Sequence, residues 1–528
     1  MIQTLTGNFD EYLKDESRNA GTADFIAFPK TVDEVRLILI QAGTNRAIVT
    51  VQGSRTGITA GAVPDGGYIL NLSMMNNITG LRYDSESDSF FLKLQPGVIL
   101  SDLRDRIADK NFETKDWTDA SRETLKLLMN SDNLFFSPDP TETSASIGGM
   151  AACNASGACS YFYGPTRKFI ESMEIVLADG SLLQLSRGNN KAVGYIFELR
   201  TLEGKVISGK LPSFRMPAVK NAAGYFTGSD MDMLDLFIGS EGTLGVVTEL
   251  EIRLLTAPVA LLGVMSFFFD ENNAIEYVSS IRTKTSISSE STLPAKLVAI
   301  EYFGKEALDL LREQKNINPA FSKIPDIPIK YQTGIYTEYH GDSEHAVYDM
   351  VIAANALMVS CGGSDDDTWI AGNKNEMDRL HFFRHAVPEA VNLIIDKRRK
   401  KDPDLKKLGT DMAVPDYYLR NVFDIYRTDI RNNKLDAILF GHIGDNHIHI
   451  NILPDNKEEY EKGCMIYLSW AEQITGMGGT ISAEHGVGKT KTKLLEMMYG
   501  SDAINEMRKV KETFDPNYIL NRGNIFCR

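Results

Sequence analysis

The stretch "SPDPTETSASIGGMAACNASGACSYFYGPTRKFIESMEIVLADGSLLQL", residues 137–185, joins a run of small residues to a pair of predicted strands. Gly, Ser and Ala dominate its first half, so the backbone N–H groups there can approach an anion closely. Its second half is apolar and turns at Asp179-Gly180, which is a hairpin signal. A glycine-rich surface loop without a ligand would also account for the first half, so the choice between the two interpretations depends on the rest of the chain.

Two further runs of small residues have the same setting. "GSRTGITAGAVPDGG", residues 53–67, follows a predicted strand, helix and strand, and "FIGSEGTLGVVTELEIRLL", residues 237–255, leads into another strand. None of the three runs has the GxGxxG spacing of a Rossmann turn. Together they predict a fold that threads its backbone along an extended, phosphate-bearing cofactor.

Composition narrows the class of protein. The 528 residues exceed the size of one core and predict two or more domains, and a net charge of −15 disfavours binding to nucleic acid or to anionic membranes. The five cysteines form no CxxC pair, which favours a reducing compartment. We find no signal peptide and no apolar stretch long enough to span a membrane. The sequence therefore predicts a cytoplasmic, small-molecule protein.

The segment "DAILFGHIGDNHIHINILP", residues 436–454, reads as a strand, a turn and a second strand. Alternation places His447, His449 and Asn451 on one face of the second strand and isoleucines on the other. The turn brings His442 near His449, so two imidazoles can bind one divalent cation. A polar strand face without a ligand is the alternative.

The loop "AEHGVGKT", residues 483–490, has the Walker A spacing if alanine is allowed in the first position. A P-loop would make the chain an NTPase, but "GMGGTIS" precedes this loop where a buried strand is required. We favour a loop that supplies Glu484 and His485 to a metal and acid/base site.

The order of these motifs resembles a known superfamily. "GSRTGITAG", "DPTETSASIGG", "YGPTRKFIESMEIVLADG" and "IGSEGTLGVVTE" look like the FAD-binding domain of the vanillyl-alcohol oxidase and p-cresol methylhydroxylase (PCMH) superfamily. "LGTDMAVPD", "GHIGDNHIHIN" and "SAEHGVG" resemble its FAD-dependent D-lactate, glycolate and D-2-hydroxyglutarate dehydrogenase branch. The resemblance extends from about residue 11 to residue 526.

The resemblance implies noncovalent FAD, and no residue suggests itself as a covalent tether. By position, the implied FAD residues are Gly53, Ser54, Arg55, Thr56, Gly57 and Gly61 at the pyrophosphate, Asp139, Pro140, Thr141, Ser146, Gly148, Gly149, Asn154, Ser156, Tyr163, Gly164 and Thr166 along the flavin, and Glu241, Gly242, Gly245, Val246 and Val247 near the adenine. Ser54-Arg55 and Met150 depart from the family pattern, as do Arg522 and Asn524 near the C-terminus.

The resemblance also implies the chemistry. His442, His449 and Glu484 would bind a divalent metal, zinc being favoured over manganese, iron or cobalt, and His485 would be the base. Arg384 would bind the carboxylate of a D-2-hydroxy acid that passes a hydride to the flavin. Some hydroxyglutarate-type relatives have a lysine where this chain has Gly409, which favours a lactate-like substrate with one carboxylate over a substrate with two.

Two segments of this region allow a second interpretation. Arg384 could lie on a solvated helix, and His381 with His385 could bind metal from one helix face, although no HExxH glutamate lies between them. The basic run 397–407 is typical of a solvated loop; docking of an acidic electron-transfer partner or of lipid headgroups is the alternative, which would place the protein peripherally at a membrane.

We therefore expect an α+β flavoprotein. Residues 1–257 would form a two-lobed FAD-binding domain of the PCMH type and residues 258–528 a substrate domain with an antiparallel sheet, whose last 45 or so residues return to the flavin. The electron acceptor could be a quinone, an electron-transferring flavoprotein or a cytochrome. A non-catalytic or electron-transfer flavoprotein subunit and an oxidase that uses dioxygen are the alternative functions.

Overall fold

The structure, a computed structural model, describes residues 2–286 and 294–527. The strands before residue 258 are β1 (Ile2–Thr4), β2 (Phe25–Ala27), β3 (Val49–Gln52), β4 (Tyr68–Asn71), β5 (Ile78–Asp84), β6 (Ser89–Leu94), β7 (Leu134–Phe135), β8 (Ile170–Val176), β9 (Leu182–Ser186), β10 (Ile196–Arg200), β11 (Val206–Lys210), β12 (Val246–Arg253) and β13 (Leu255–Thr256). Those after it are β14 (Ala260–Phe268), β15 (Ala295–Phe303), β16 (Thr333–Gly341), β17 (Gly363–Ala371), β18 (Leu408–Gly409), β19 (Met412–Ala413), β20 (Ala437–His442) and β21 (His447–Ile452).

Helices connect these strands. The α-helices are α1 (Val32–Asn45), α2 (Leu100–Ala108), α3 (Asp119–Met129), α4 (Ile147–Cys153), α5 (Ser160–Tyr163), α6 (Leu234–Phe237), α7 (Glu271–Ser286), α8 (Lys305–Ile317), α9 (Glu344–Ser360), α10 (Lys374–Arg399), α11 (Leu419–Asn433), α12 (Lys457–Gly476) and α13 (Thr492–Phe514), the last with non-helical backbone at Gly500. Short 3-10 helices lie at Gly7–Leu13, Leu72–Met74, Thr166–Phe169, Pro319–Phe321, Asp416–Tyr418 and Ile443–Asp445. In the described chain, no helix is both long and apolar enough to cross a membrane.

The first sheet has four strands in the order β1-β2-β4-β3, and α1 packs on it. Thr31 caps α1, because its side chain accepts a hydrogen bond from the Glu34 N–H. Leu37 and Ile40 are exposed, because the helical period turns a different set of residues inward. The buried set is Val35, Ile38, Leu39 and Ala42.

The second sheet is antiparallel, with the order β5-β6-β12-β8-β9. Its β8–β9 hairpin turns where the sequence predicts, and Gly180 has the positive φ of 83° that this turn requires. One run of small residues follows β3, one leads into α4, and one leads into β12. Each of the three runs is therefore directly joined to a strand or a helix.

The third sheet is antiparallel, with strands in the order β17-β14-β16-β15-β20-β21-β18, and β19 also pairs with β21. Helices α8 and α10 share a core with β14 and β16, whereas α9 contacts β14, β16 and β17. The adjacent strands β20 and β21 place the predicted histidines at one end of this sheet. Sheets and helices together confirm the α+β class.

The chain after α13 returns to the edge of the first sheet. The Val49 N–H donates to the Ile519 carbonyl at 2.7 Å, and the Val51 N–H donates to Asn521 Oδ1 at 2.7 Å. The boundary expected at residue 257 lies between β13 and β14. The division into two domains there stays a prediction.

Candidate functional site

A cavity of about 960 Å³ lies where the three runs of small residues meet β20, β21, α10 and the loop 483–490. The predicted metal, base and carboxylate-binding residues all line it: His442, His449, Glu484, His485 and Arg384. So do most of the predicted FAD residues, which are Gly53, Ser54, Arg55, Thr56, Gly57, Gly61, Pro140, Thr141, Ser146, Gly148, Gly149, Ser156, Glu241, Gly242, Gly245 and Val247.

Six predicted FAD residues do not line this cavity: Asp139, Asn154, Tyr163, Gly164, Thr166 and Val246. They have partners behind its wall. Asp139 pairs with Arg104 at 3.2 Å, and the Tyr163 hydroxyl hydrogen-bonds His340 Nδ1 at 2.8 Å. Thr166 and Val246 are fully buried. The contacts of these six residues with FAD stay predictions.

The first small-residue loop fits an anionic group through its backbone. Residues 54–58 all line the cavity, and their N–H groups donate no hydrogen bond to any other described residue. Arg55 has a left-handed φ of 61°, and its guanidinium lies over the Tyr12 ring at 4.2 Å. Successive unpaired N–H groups around a left-handed residue are the geometry that binds phosphate oxygens. The loop therefore fits the pyrophosphate of FAD.

Three predicted metal ligands converge at the end of β20. Glu484 Oε1 lies 3.2 Å from His442 Nε2 and 3.3 Å from His449 Nε2. With His447 these residues form a group whose ligand atoms all lie within 4.8 Å of one another. Ile448, Ile450 and Ile452 point into the core, as the alternation predicts.

The other nitrogen of each imidazole faces a protein acceptor. His442 Nδ1 lies 2.7 Å from Glu301 Oε1, and His449 Nδ1 lies 3.0 Å from the Thr410 carbonyl. These acceptors assign the protons to Nδ1, so both Nε2 lone pairs point at a carboxylate oxygen. Two nitrogen lone pairs and a carboxylate oxygen that face one another are stabilised by a bound cation or by added protons. Burial alone would lower the pKa of His442, but Glu301 and Glu484 raise it to about 10. When no metal is bound, a proton on His442 therefore stabilises the nearby carboxylates.

The second oxygen of Glu484 is held by other residues. Lys220 Nζ donates to Glu484 Oε2 at 2.8 Å, and the Ser156 hydroxyl donates to it at 3.2 Å. Although burial opposes it, His442 and Lys220 keep the pKa of Glu484 well below its usual range. Sequence reasoning missed Lys220 and Glu301, because each stands alone in its segment with no motif around it.

Asp411 orients the loop that carries His485. Asp411 Oδ2 accepts from the His485 N–H at 3.0 Å and lies 3.4 Å from His485 Nδ1, while His485 Nε2 lies 3.5 Å from Glu484 Oε1. Burial lowers the pKa of His485 to about 4, so its imidazole is neutral at pH 7. Asp411 falls within the quoted motif "LGTDMAVPD", which was the available signal for it.

Arg384 lines the cavity from α10, and its guanidinium lies over the Tyr336 ring at 5.3 Å. It forms no ion pair within the described chain, and its buried Nε has no hydrogen-bond partner. Burial opposes the charge, but Glu301 and Glu338 are among the groups that keep the pKa of Arg384 above its ordinary value. Arg384 therefore offers a free positive charge to the cavity.

The two histidines near Arg384 do not act as a pair. His381 hydrogen-bonds Glu338 at 3.2 Å, and burial lowers the pKa of His385, which lines the cavity. Within the described chain neither belongs to a group that could hold a metal ion.

The loop 483–490 is not available to bind phosphate. The N–H groups of Val487 and Gly488 donate to Glu241 at 2.6 and 2.8 Å, and Lys489 Nζ donates to the Val63 carbonyl at 2.8 Å. A P-loop needs these groups free for a nucleotide. The geometry supports the preference for a metal and base loop.

The basic run 397–407 is only in part a solvated loop. Lys400 and Lys401 are exposed, but Arg398 pairs with Asp436 at 2.6 Å. Lys406 and Lys407 line the cavity, and burial lowers the pKa of Lys407 to about 8. The second half of the run therefore belongs to the wall of the site.

Comparison with known families matches both halves of the chain. A model described as "FAD binding domain" matches residues 23–125 and 121–186, and one described as "FAD linked oxidases, C-terminal domain" matches residues 290–525. The site residues up to Thr166 and those from Glu301 onward fall within these matches, whereas Lys220 and residues 241–247 lie between them.

Curated relatives are similar over nearly the full length. A D-lactate dehydrogenase of Anaerostipes hadrus is 27% identical, with 98% of this chain and 92% of that protein covered. A D-2-hydroxyglutarate dehydrogenase of Stutzerimonas stutzeri (strain A1501) is 25% identical, with coverage of 100% and 96%. A 4-ethylphenol oxidase structure from Gulosibacter chungangensis has a TM-score of 0.66 at 15% identity, covering 99% and 94% of the two chains, and shares the fold.

Proposed function

The chain belongs to the FAD-linked oxidase family, and from this premise we propose that it oxidises a small D-2-hydroxy acid to the 2-oxo acid. It is an enzyme of the FAD-linked oxidoreductases; the substrate and the assistance of a metal are our proposals. One observation carries them. His442, His449 and Glu484 converge on one point, and neutral His485 and unpaired Arg384 line the same cavity.

Arg384 would bind the substrate carboxylate, because its planar guanidinium matches a carboxylate with two parallel hydrogen bonds. When bound, FAD supplies the hydride acceptor, and a divalent cation at His442, His449 and Glu484 supplies the Lewis acid that makes a hydroxyl more acidic.

His485 would accept the hydroxyl proton at Nε2. Its Nδ1 faces Asp411, which stabilises the imidazolium that forms. Burial keeps His485 neutral before the reaction, as a base must be. The D configuration rests on resemblance alone.

A lactate-like substrate is supported by Phe303 and Phe440, which give the cavity an apolar wall. A substrate with a second carboxylate is the alternative, and Lys407 favours it. Lys407 lines the same cavity, donates to Asn392 Oδ1 at 2.9 Å and forms no ion pair within the described chain.

We also propose that the protein is cytoplasmic and passes its electrons to a quinone, an electron-transferring flavoprotein or a cytochrome. Retention of the histidines, Glu484 and Arg384 in one cavity speaks against a non-catalytic or electron-transfer subunit.

Anaerobic mixing of the yellow protein with D- and L-lactate, glycolate and D- and L-2-hydroxyglutarate tests the proposal. We expect flavin bleaching with a D-2-hydroxy acid, and the preferred acid decides between one and two carboxylates. Air admitted afterwards distinguishes an oxidase from a dehydrogenase by the rate of reoxidation. A flavin that dithionite reduces but no 2-hydroxy acid reduces would contradict the proposal.

A further inference from the structure

Glu241 extends from the third small-residue loop to the loop 483–490. The family resemblance implies a position beside the adenine, yet its carboxylate accepts the Val487 N–H at 2.6 Å and the Gly488 N–H at 2.8 Å. The residue is 6% exposed and has a left-handed φ of 54°, which is uncommon for a residue with a side chain.

The backbone of Glu241 is fixed independently of that loop. Its N–H donates to the Ala152 carbonyl at 2.9 Å, and its carbonyl accepts from Asn521 Nδ2 at 2.6 Å. The carboxylate is therefore attached to a backbone that is held without the loop 483–490. Glu241 connects α4 and the C-terminal segment to the residues that follow His485.

The loop 483–490 is also held from its other side by Thr59 of the first small-residue loop. The Lys489 N–H donates to the Thr59 carbonyl at 2.9 Å. A Cβ at Gly486 would lie 2.8 Å from Glu241 Oε1, and a Cβ at Gly488 would lie 2.0 Å from the Thr59 carbonyl oxygen. Glycine at both positions lets the loop fit between two elements that line the FAD cavity.

We infer that Glu241 is a positioning residue that fixes the backbone after Glu484 and His485, and thereby couples the FAD-binding loops to the metal and base site. The expected effect on catalysis rests on the proposed function; the effect on loop order does not. No contact of Glu241 with substrate is implied, since the carboxylate is occupied by the two N–H groups.

Three variants of the FAD-loaded protein test this role. Glu241→Ala removes the acceptor, and Glu241→Gln keeps the volume but leaves one acceptor oxygen. Glu249→Gln is the matched control, because Glu249 lies eight positions along the same segment and pairs with Lys93 at 2.6 Å instead. Hydrogen–deuterium exchange of the Val487 and Gly488 amides is the primary measurement, with FAD content, metal content and flavin-reduction rate measured on the same samples.

We expect the two amides to exchange at least about 10-fold faster in Glu241→Ala, with Glu241→Gln between it and the wild type. FAD should stay bound, metal content should fall, and the reduction rate should fall more than substrate affinity, because Arg384 lies on α10. Unchanged exchange of the Val487 and Gly488 amides in Glu241→Ala, whether or not FAD is lost, would overturn the inference. Faster exchange in a protein that no 2-hydroxy acid reduces would leave the inference standing and reject the proposed function.

Discussion

The two halves of the cavity are built in different ways. The loop 53–61 presents consecutive backbone N–H groups, so its binding capacity comes from glycine and a left-handed turn. The proposed metal and base site consists of side chains from β15, β20, β21 and the loop 483–490, held by charged partners. The first site should tolerate loss of a side chain, whereas the second should fail when one side chain is removed.

The sharpest difference is expected for His442→Ala. Loss of a ligand should remove the metal and slow flavin reduction by about 10³-fold or more, because metal assistance contributes several kcal/mol. FAD should stay bound, since its proposed pyrophosphate loop is separate. Metal analysis and stopped-flow reduction measure this. His345→Ala is the control, because His345 is 88% exposed on α9. Full metal content and turnover in His442→Ala would exclude the ligand role.

His485→Asn should keep the metal and lose the base. We expect flavin reduction to slow by about 10²- to 10⁴-fold with a smaller change in substrate affinity. Glu484→Gln is the comparison, because it should lose the metal instead. Flavin reduction at the wild-type rate in His485→Asn would exclude His485 as the base.

Arg384→Lys keeps the charge but removes the planar fork. We expect kcat/KM for a 2-hydroxy acid to fall roughly 10- to 100-fold, because charge-assisted hydrogen bonds contribute about 1.5–3 kcal/mol. Arg379→Lys is the matched control on the exposed side of the same helix. Equal kinetics for the two variants would mean that Arg384 does not bind substrate.

Lys489 joins the two halves, and its substitution should act on stability. Burial lowers its pKa from the usual 10.5 to about 8, so between these pH values the unfolded chain binds more protons and stability rises with pH. Lys489→Met should remove this rise, which is on the order of 2 kcal/mol. Urea unfolding at pH 8 and pH 10 measures it; parallel pH dependence in both proteins would contradict the shift.

The smallest effects should come from the FAD loop. Ser54→Ala and Thr56→Ala remove hydroxyls but leave the backbone N–H groups, so the dissociation constant of FAD should rise less than about 10-fold. Titration of the apoprotein with FAD measures this. A larger loss would show that the hydroxyls bind the cofactor and would end the contrast between the two halves.

The contrast between the backbone-built FAD loop and the side-chain-built metal and base site also explains which parts of the site could be predicted from the sequence. The Asp179-Gly180 turn signal predicted the β8–β9 hairpin, strand alternation predicted the convergence of His442 with His449, and the family resemblance implied the α+β class. Glu301 and Lys220 could not be predicted, because their role depends on charges that only tertiary folding brings together. Asp411 lies in the quoted motif "LGTDMAVPD", but the motif does not show that its carboxylate faces His447 and His485. Tyr163 and Val246 do not line the cavity, because a motif gives positions along the chain but not the direction in which a side chain points; their contacts with FAD stay predictions.

The pairing of Val49 with residues near Ile519 has a consequence for biosynthesis. A ribosome makes β3 early, yet the segment that covers its outer edge emerges some 470 residues later, so that edge has unpaired backbone groups during most of translation. Closure over such a sequence separation is slow. The outer edge of β3 is therefore paired only after the C-terminal segment has been synthesised, and until then its backbone groups can pair with another strand.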